Sequence, residues 1–503
     1  MMTTRLANLA ERALKWSALT TIARFVLQLG AQVALARLLG PGNYGVYGIG
    51  MTVLTFAAFL SGGSFSWNLM LLPKVDDEDI RFSFTWQLIA GFICAFVMLA
   101  SAPAIASFFG DARVESIVQW LSLASLLTAA SAPATCLLQR DLNFRTLGLI
   151  QLASYAAGYL AVGVPMALAG YGAHALAIAC VVQAAVTLVG AYIARPHPLR
   201  PLLRHVSGAD HLNTGRAVFF TNIVNWLLSN LDRVVIGRVL NTHFVGLYTV
   251  AYNLASIPNV LLLSALQPAF LAAGAKLQNE PKRLAQGWLL GLACVLVLIT
   301  PVSVVAAMLS ADVVALLYGP AWMESAWVLA LLFLCLPAWT CWGLSTPVLW
   351  NTGRKHYEFL LQLPLLLIAA PAWWYFGHEG IRAIAIVSAV VIYLRAAVII
   401  TAALRALELR WTVLMPDMAR GIGLAALAAL AVAGGHQAVA NVTLPGAALV
   451  AGGFCALAAL LIVIGVRPTL LGRDTQSALG RLAPRFAPRW AAPAPADLDG
   501  QAP

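Results

Sequence analysis

The stretch from Asn222 to Tyr252, NIVNWLLSNLDRVVIGRVLNTHFVGLYTVAY, decides the fold, because it carries charges within a sequence apolar enough to cross a membrane. A charged side chain at the bilayer centre costs about 2.5–3.5 kcal/mol on insertion scales, so it usually faces protein or a water-filled cavity. At about 100° per residue, a helix here would collect its polar side chains on one face. These side chains are Asn222, Asn225, Ser229, Asp232 and Arg233.

The same pattern occurs 201 residues earlier in the chain. LARLLGPGNYGVYGIG (35–50) aligns with IGRVLNTHFVGLYTVA (236–251), so that Gly45 aligns with Gly246 and Tyr47 with Tyr248. The polar face follows the same offset, and its counterparts in the earlier copy are Arg24, Gln28 and Gln32. Two related helices are therefore predicted to direct polar faces toward a shared site.

The composition predicts an all-α polytopic membrane protein. The 503 residues are 61% hydrophobic and only 10% charged, and the mean hydropathy is +0.83, whereas soluble domains carry about 25% charged residues. Stretches of about 17 residues or more can span the hydrocarbon core as helices. Fourteen such spans are predicted, at 17–39, 44–72, 84–109, 114–138, 146–168, 172–194, 215–240, 244–275, 284–309, 324–350, 357–377, 380–405, 416–436 and 445–466.

The net charge of +11 reflects membrane topology rather than nucleic-acid binding. If the N-terminus is cytoplasmic, 24 of the 31 Lys and Arg residues fall on the cytoplasmic side. Arg113 and Arg382 lie in connections on the opposite side, and five further arginines lie in or near spans. By the positive-inside rule, this distribution predicts an even number of crossings with both termini in the cytoplasm.

The repeat predicts two six-helix bundles of the same orientation, followed by two additional helices. Because six is an even number, the repeat is of the parallel kind, in which substrate binds near the midplane between the bundles. The predicted divisions are an N-terminal bundle, a basic cytoplasmic linker, a C-terminal bundle, two extra helices and a disordered tail, at 1–194, 195–213, 214–405, 406–466 and 467–503. We expect His197, His205 and His211 to solvate the linker near anionic headgroups.

Signals of chemistry are weak. Asp77 and Asp79 form a DxD pattern, but we expect the acidic run Asp76–Asp79 to cap a helix N-terminus. The seven cysteines lie in or beside apolar spans and read as small packing residues, so no metal site, disulfide or cofactor is predicted. Of the twenty acids, only Asp232 lies well inside a span, while Glu358 lies at a span edge. Paired carboxylates or an activated nucleophile would be needed for catalysis, and none is visible.

Transport therefore fits the sequence better than catalysis. The predicted substrate-binding residues are Arg24, Gln28, Gln32, Asn222, Asn225, Ser229 and Arg233. The alternative is that these groups only form hydrogen bonds with neighbouring helices. An arginine-rich lining would suit an anionic substrate, whose phosphate a guanidinium can hold through two hydrogen bonds.

Three segments carry a family resemblance: LDRVVIGRVLNTHFVGLYTVAY (231–252), LARLLGPGNYGVYGIG (35–50) and LLQRDLNFRTLGLIQLASYAAGY (137–159). They resemble bacterial polysaccharide flippases of the Wzx/PST type, within the multidrug/oligosaccharidyl-lipid/polysaccharide exporter superfamily. The resemblance implies alternating-access movement of an undecaprenyl-pyrophosphate-linked oligosaccharide across the cytoplasmic membrane. It also implies a cationic cavity between two six-helix lobes, and makes Arg24 and Arg233 candidate contacts for pyrophosphate or acidic sugars.

The resemblance further implies partners and a possible coupling ion. Membrane lipid and the polysaccharide polymerase and chain-length machinery are the implied partners, and no nucleic acid is. Proton coupling is proposed for the family, and Asp232 is the candidate ion-coupling residue in this chain. The alternatives are a cation-coupled small-molecule exporter, which would generally need several intramembrane acids, and a membrane glycosyltransferase or polymerase, disfavoured because no long outer loop is present.

Overall fold

The computed structural model describes residues 2–60, 69, 72, 75–204, 210–277, 280–354, 356–439, 446–472 and 475–476. Side chains at 2–15, 17, 18, 60, 210–222, 265, 269, 272 and 356 lie outside the description. The side chain of Asn222 is therefore not described, and neither is His205 or the predicted tail from 477 onward.

Throughout the described ranges the regular elements are helices, which confirms the predicted all-α class. The helices are α1 (Met2–Leu60), α2 (Asp77–Phe109), α3 (Arg113–Arg140), α4 (Phe144–Leu168), α5 (Ala173–Ala194), α6 (Asp210–Val235), α7 (Thr242–Lys276), α8 (Pro281–Met308), α9 (Ser310–Leu317), α10 (Glu324–Leu334), α11 (Leu336–Asn351), α12 (His356–Gly377), α13 (Ile381–Ala406), α14 (Met415–Ala438) and α15 (Ala447–Val466). A π-helical segment, Ile236–Leu240, continues α6.

Many of these helices can cross a bilayer. Within the described chain, eleven are long and apolar enough to do so, or twelve if α10 and α11, bent by 42°, form one span. The first of them, Leu19–Phe59, contains a break at Gly40, whose φ of 70° is non-helical. The protein is therefore a multi-pass membrane protein, and the count of fourteen spans stays a prediction.

The chain forms two compact units, Met1–Thr249 (unit 1) and Val250–Pro503 (unit 2). Helix α7 begins in unit 1 and continues in unit 2. The predicted boundaries at 194 and 214 were drawn from the sequence repeat, and they stay predictions.

In unit 1, the two repeat-related turns pack directly on each other. A Cβ at Gly45 would overlap the carbonyl oxygen of Thr242, and a Cβ at Gly246 would overlap that of Pro41. Pro41 and Thr242 are themselves separated by the repeat offset, so the two contacts are reciprocal. The two turns are thus related by a local two-fold axis. Glycine is needed at positions 45 and 246, because each lies against the backbone of the other turn.

An aspartate links the α2–α3 turn to the start of α7. The carboxylate of Asp111 accepts hydrogen bonds from the Arg113 guanidinium at 2.7 Å and from the Thr242 hydroxyl at 3.1 Å. The hydrogen bond from Arg113 holds the pKa of Asp111 below its ordinary value. The connection between these helices is therefore fixed by a charge-assisted contact.

The basic linker lies against α2 rather than in solvent. The Arg81 side chain donates to the Arg200 carbonyl at 3.0 Å, and the Leu202 N–H donates to the Thr85 hydroxyl at 2.9 Å. His197 is only 7% exposed and contacts the rings of Phe84 and Tyr192. The prediction that His197 solvates the linker is wrong, because the ring is buried between aromatic side chains, and this burial lowers its pKa.

The acidic run caps α2, as expected. The backbone N–H of Asp76 donates to a carboxylate oxygen of Asp79 at 3.0 Å, and Asp77, Glu78 and Asp79 occupy the first turn. Carboxylates at this position compensate the positive end of the helix dipole. The DxD pattern is thereby accounted for by local structure.

Unit 2 is organised around the fully buried Trp288 of α8, which donates to the Ser345 hydroxyl of α11 at 3.3 Å. Helix α14 packs on α8, where Gly421 lies against the carbonyl oxygen of Leu296. Helix α15 packs on α14 and presents apolar side chains outward; Phe454, for example, is 70% exposed. Of the two additional helices, α14 is thus part of the packed bundle and α15 is peripheral.

We predict that Gly45→Ala and Gly246→Ala destabilise the protein, because each added Cβ must displace a backbone carbonyl. Overpacking of this kind costs about 1–3 kcal/mol. Thermal unfolding of the detergent-purified protein measures the effect. Gly42→Ala is the matched control, since a Cβ there meets nothing within 4 Å. Equal melting temperatures for all three variants and the wild type would contradict the packed-turn interpretation.

We also predict that Asp111 makes stability depend on pH. Its pKa is lowered in the folded state, so its contribution is present above the unfolded value of about 3.9 and is lost as pH falls through the folded value. Asp111→Asn should lower the melting temperature at pH 7 and converge with the wild type in strong acid. Melting curves from pH 7 downward test this, and a constant difference between the two proteins would refute it.

Candidate functional site

The predicted polar face of the first span contacts α4. Arg24 donates from Nη1 to Oε1 of Gln151 at 2.7 Å, and the Tyr155 hydroxyl donates to the backbone carbonyl of Gln28 at 3.5 Å. Within the described residues, Nε2 of Gln32 is buried and has no hydrogen-bond partner. Arg24 and Gln28 are both half-buried. The Arg24 side chain therefore links α1 to α4, and its partner among the described residues is a neutral amide rather than a carboxylate.

Asp232 lies at the buried edge of the predicted polar face of α6. It is 4% exposed and shares a buried stripe of α6 with Val224 and Leu228. Its Oδ2 accepts a hydrogen bond from the Tyr248 hydroxyl of α7 at 2.5 Å, and its Oδ1 accepts one from the Arg233 N–H at 2.8 Å. Asp232 therefore turns into the packing between α6 and α7, and its predicted role in ion coupling stays a prediction.

The remaining predicted residues of α6 stay partly accessible. Asn225, Ser229 and Arg233 are half-buried. The Arg233 guanidinium donates from Nη1 to Oδ1 of Asn230 at 3.2 Å, again to a neutral amide. The spacing of these three residues leaves them on one side of α6, as predicted. Their role in binding substrate stays a prediction.

The repeat-related tyrosines use different partners. Tyr47 is hydrogen-bonded to the Tyr159 hydroxyl of α4 at 2.8 Å, whereas Tyr248 is bonded to Asp232. The residue that corresponds to Asp232 in the first copy is Ala31, which is buried and apolar. The two copies thus share a backbone arrangement, but the hydroxyl of the buried tyrosine has a different hydrogen-bond partner in each copy.

Unit 2 contains a second buried polar cluster, which the sequence analysis missed. Arg395 of α13 is 5% exposed, donates from Nε to Oε1 of Gln362 at 2.7 Å, and lies 3.8 Å from the centre of the Trp342 ring. Gln362 in turn donates to Glu358 at 3.4 Å, and Trp350 donates to the same carboxylate at 3.1 Å. Arginine and glutamate are thereby connected through one amide.

Glu358 lies in the first turn of α12, which agrees with its predicted position at a span edge, but it is buried like Asp232. Glu358 is 3% exposed, because α11 covers the beginning of α12 and Trp350 reaches its carboxylate. Glu358 and Gln362 are four residues apart on one helix face, so their spacing could have suggested a joint role. Arg395 was visible as a charge inside a span, but its partners follow only from the packing of α12 and α13.

An apolar cleft of about 640 Å³ lies in unit 1 between α1, α2 and α6. Its walls include Phe56 and Trp226, whose rings are 4.7 Å apart. Along α2 the lining runs from Ala90 to Phe109, a rise of about 28 Å at 1.5 Å per residue. The cleft therefore extends over most of the roughly 30 Å of a hydrocarbon core.

The chain is similar to proteins of polysaccharide biosynthesis. The profile of the family described as polysaccharide biosynthesis protein matches residues 34–327. The succinoglycan biosynthesis transport protein ExoT of Rhizobium meliloti (strain 1021) is 26% identical over 70% of this chain and 71% of its own length. The lipopolysaccharide biosynthesis protein WzxC of Escherichia coli (strain K12) is 24% identical over 63% of this chain and 65% of its own length.

Solved structures share the fold. The lipid II flippase MurJ in an inward closed conformation superposes with a TM-score of 0.69 and 13% identity, over 89% of this chain and 98% of MurJ. An inward-facing multidrug resistance MATE family transporter of the MOP superfamily gives a TM-score of 0.63 and 14% identity, over 76% of this chain and 94% of its own. At these identities the likeness concerns the fold alone.

We predict that Tyr248→Phe destabilises the protein more than Tyr47→Phe does. Removing the Tyr248 hydroxyl leaves the Asp232 carboxylate buried without that donor, and hydrogen bonds to charged groups contribute about 1.5–3 kcal/mol. Tyr47→Phe removes a bond between two hydroxyls, which contributes about 0.5–1.5 kcal/mol. Thermal unfolding compares the two variants, and Asp232→Asn/Tyr248→Phe should lose less than the sum of its single changes. Strict additivity would contradict the pairing.

Proposed function

The chain belongs to the polysaccharide biosynthesis protein family, and we propose that it moves a lipid-linked oligosaccharide across a membrane by alternating access. The substrate class follows from the family and from the electrostatics of the membrane helices. The best candidate is an undecaprenyl-pyrophosphate-linked oligosaccharide used for lipopolysaccharide, capsule or exopolysaccharide. The similarity to ExoT, a succinoglycan biosynthesis transport protein, and to WzxC, a lipopolysaccharide biosynthesis protein, supports this proposal.

The observation that carries the proposal is the environment of Arg24. Its guanidinium lies in a membrane-spanning helix, and its hydrogen-bond partner among the described residues is the neutral amide of Gln151. The buried Arg395, by contrast, belongs to a network that contains the Glu358 carboxylate. An intramembrane cation without an acidic partner favours an anionic ligand, and a guanidinium suits the geometry of a phosphate.

The apolar cleft of unit 1 supports a substrate with a lipid chain. A lipid-linked substrate needs a hydrocarbon-lined path for its chain in addition to a polar site for its headgroup. The cleft extends about 28 Å along α2, longer than the roughly 15 Å of one leaflet. A long polyisoprenyl chain fits such a length better than the acyl chain of an ordinary phospholipid.

Coupling to an ion belongs to the same proposal. Asp232 is the candidate that the sequence suggested, and Glu358 is a second buried carboxylate. Both accept hydrogen bonds from neighbouring side chains, Asp232 from Tyr248 and Glu358 from Trp350. A role in coupling would require these bonds to open during the transport cycle. The ion-coupling function of Asp232 thus stays a prediction.

We further propose a bacterial inner-membrane location with both termini in the cytoplasm, which the distribution of Lys and Arg supports. The proposed architecture has two six-helix bundles of the same orientation and a substrate site near the bilayer midplane. Downstream partners would be the polymerase and the chain-length machinery that consume the translocated oligosaccharide.

The proposal predicts that Arg24→Gln and Arg233→Gln slow translocation at least tenfold, because one charge-assisted hydrogen bond to phosphate is worth about 1.5–3 kcal/mol. Translocation is measured in proteoliposomes with a fluorescent polyisoprenyl-diphosphate oligosaccharide, as accessibility of the sugar to an enzyme outside the vesicle. Arg24→Lys keeps the charge but not the planar fork, so it should retain part of the activity.

Arg382→Gln is the matched control, because Arg382 is an exposed arginine outside the predicted substrate site. It should translocate at the wild-type rate. Wild-type rates in both the Arg24 and Arg233 variants would remove these residues from substrate binding. A wild-type protein that moves no lipid-linked sugar in the assay would refute the proposed function itself.

A further inference from the structure

Unit 2 contains a groove whose lining includes none of the residues assigned to the proposed substrate site. It has a volume of about 540 Å³ and lies between the ends of α11, α12 and α13. One end is lined by Arg354, Tyr357 and Arg405, and the remainder is mainly aliphatic. The aliphatic wall consists of Leu349, Leu361, Leu394, Ala397, Val398 and Ala402. The groove is therefore amphipathic along its length.

The two arginines make the polar end cationic. Both Arg354 and Arg405 are exposed, and within the described ranges neither side chain forms an ion pair or a hydrogen bond. Arg405 is in the last turn of α13, and Arg354 immediately follows α11, so helix ends hold both residues at the rim of the spans. Basic pockets between membrane helices recognise anionic lipid headgroups.

The surroundings of the groove indicate that its occupant comes from the bilayer. Leu394 is 46% exposed, and Leu360, Leu367 and Val390 on the same two helices are exposed apolar side chains. From Arg405 to Leu394 the groove runs eleven residues of helix, about 16 Å at 1.5 Å per residue. This length matches one leaflet, about half of a 30 Å hydrocarbon core, and so matches a phospholipid acyl chain.

We propose that this groove is a binding site for an anionic phospholipid. Arg354 and Arg405 hold the phosphate, and one acyl chain lies along Leu361, Leu394 and Ala397. The site is separate from the proposed transport of a lipid-linked sugar, because its residues belong to none of the predicted substrate contacts. A lipid held there would join the ends of α11, α12 and α13.

The test is native mass spectrometry of the full-length protein, titrated in detergent with phosphatidylglycerol or with phosphatidylcholine. Wild-type protein should bind its first phosphatidylglycerol at least tenfold more tightly than phosphatidylcholine. Arg354→Gln/Arg405→Gln should weaken binding of phosphatidylglycerol at least tenfold and leave that of phosphatidylcholine unchanged. Arg382→Gln/Arg467→Gln is the matched control, with the same change in net charge at two exposed arginines outside the groove.

A second pair of variants tests the apolar part of the groove while keeping both arginines. Ala397→Trp fills the groove and should weaken phosphatidylglycerol binding, whereas Val390→Trp, at an exposed position one turn beyond Leu394 and outside the groove lining, should not. Equal weakening by the two double-arginine variants would overturn the proposal, since it would indicate a response to overall charge. Displacement of phosphatidylglycerol by an equimolar polyisoprenyl diphosphate would also overturn it, and would assign the groove to the transported lipid.

Discussion

A bilayer offers no water to an embedded polar group, so each charge in this fold must find its partner within the protein or in a ligand. The buried charges meet this demand in two ways. Asp232 and Glu358 accept hydrogen bonds from Tyr248 and Trp350, and the Arg395 guanidinium reaches Glu358 through Gln362. Arg24 also donates to a glutamine amide, but within the described residues no carboxylate joins that contact.

The repeat explains how the helices that carry these charges are held. The reciprocal contacts of Gly45 with Thr242 and of Gly246 with Pro41 bring two backbone turns together without intervening side chains. Apolar burial gains little between helices in lipid, so close backbone approach through small residues is an effective means of association. The charged link from Asp111 to Thr242 joins the same region. Unit 1 is therefore fixed at its turns, while the polar faces of α1 and α6 lie further along the helices.

The sequence was sufficient to predict the class, the family, the repeat and the positions of most helices. Periodicity placed Asn225, Ser229 and Arg233 on one side of α6. It could not place Asp232, because a residue at the edge of a helix face can turn either into the packing against a neighbouring helix or away from it. The sequence did not indicate the roles of Gln151, Gln362 and Trp350, because each of them forms its hydrogen bond with a residue on another helix. His197 was expected in solvent because its linker is basic, yet flanking aromatic residues bury it.

The asymmetry between the two repeats bears on which copy can change its hydrogen bonds. In the first copy, Tyr47 pairs with the hydroxyl of Tyr159, and Ala31 stands at the position of Asp232. In the second copy, Tyr248 donates a hydrogen bond to the Asp232 carboxylate. An ionised carboxylate can only accept hydrogen bonds, whereas a hydroxyl can both donate and accept. A protonated Asp232 could itself donate a hydrogen bond, so the contact between α6 and α7 has two chemical states. A carboxylate therefore stands in only one of these two repeat-related contacts, and the proposed coupling of an ion to helix movement concerns the α6–α7 pair rather than its counterpart.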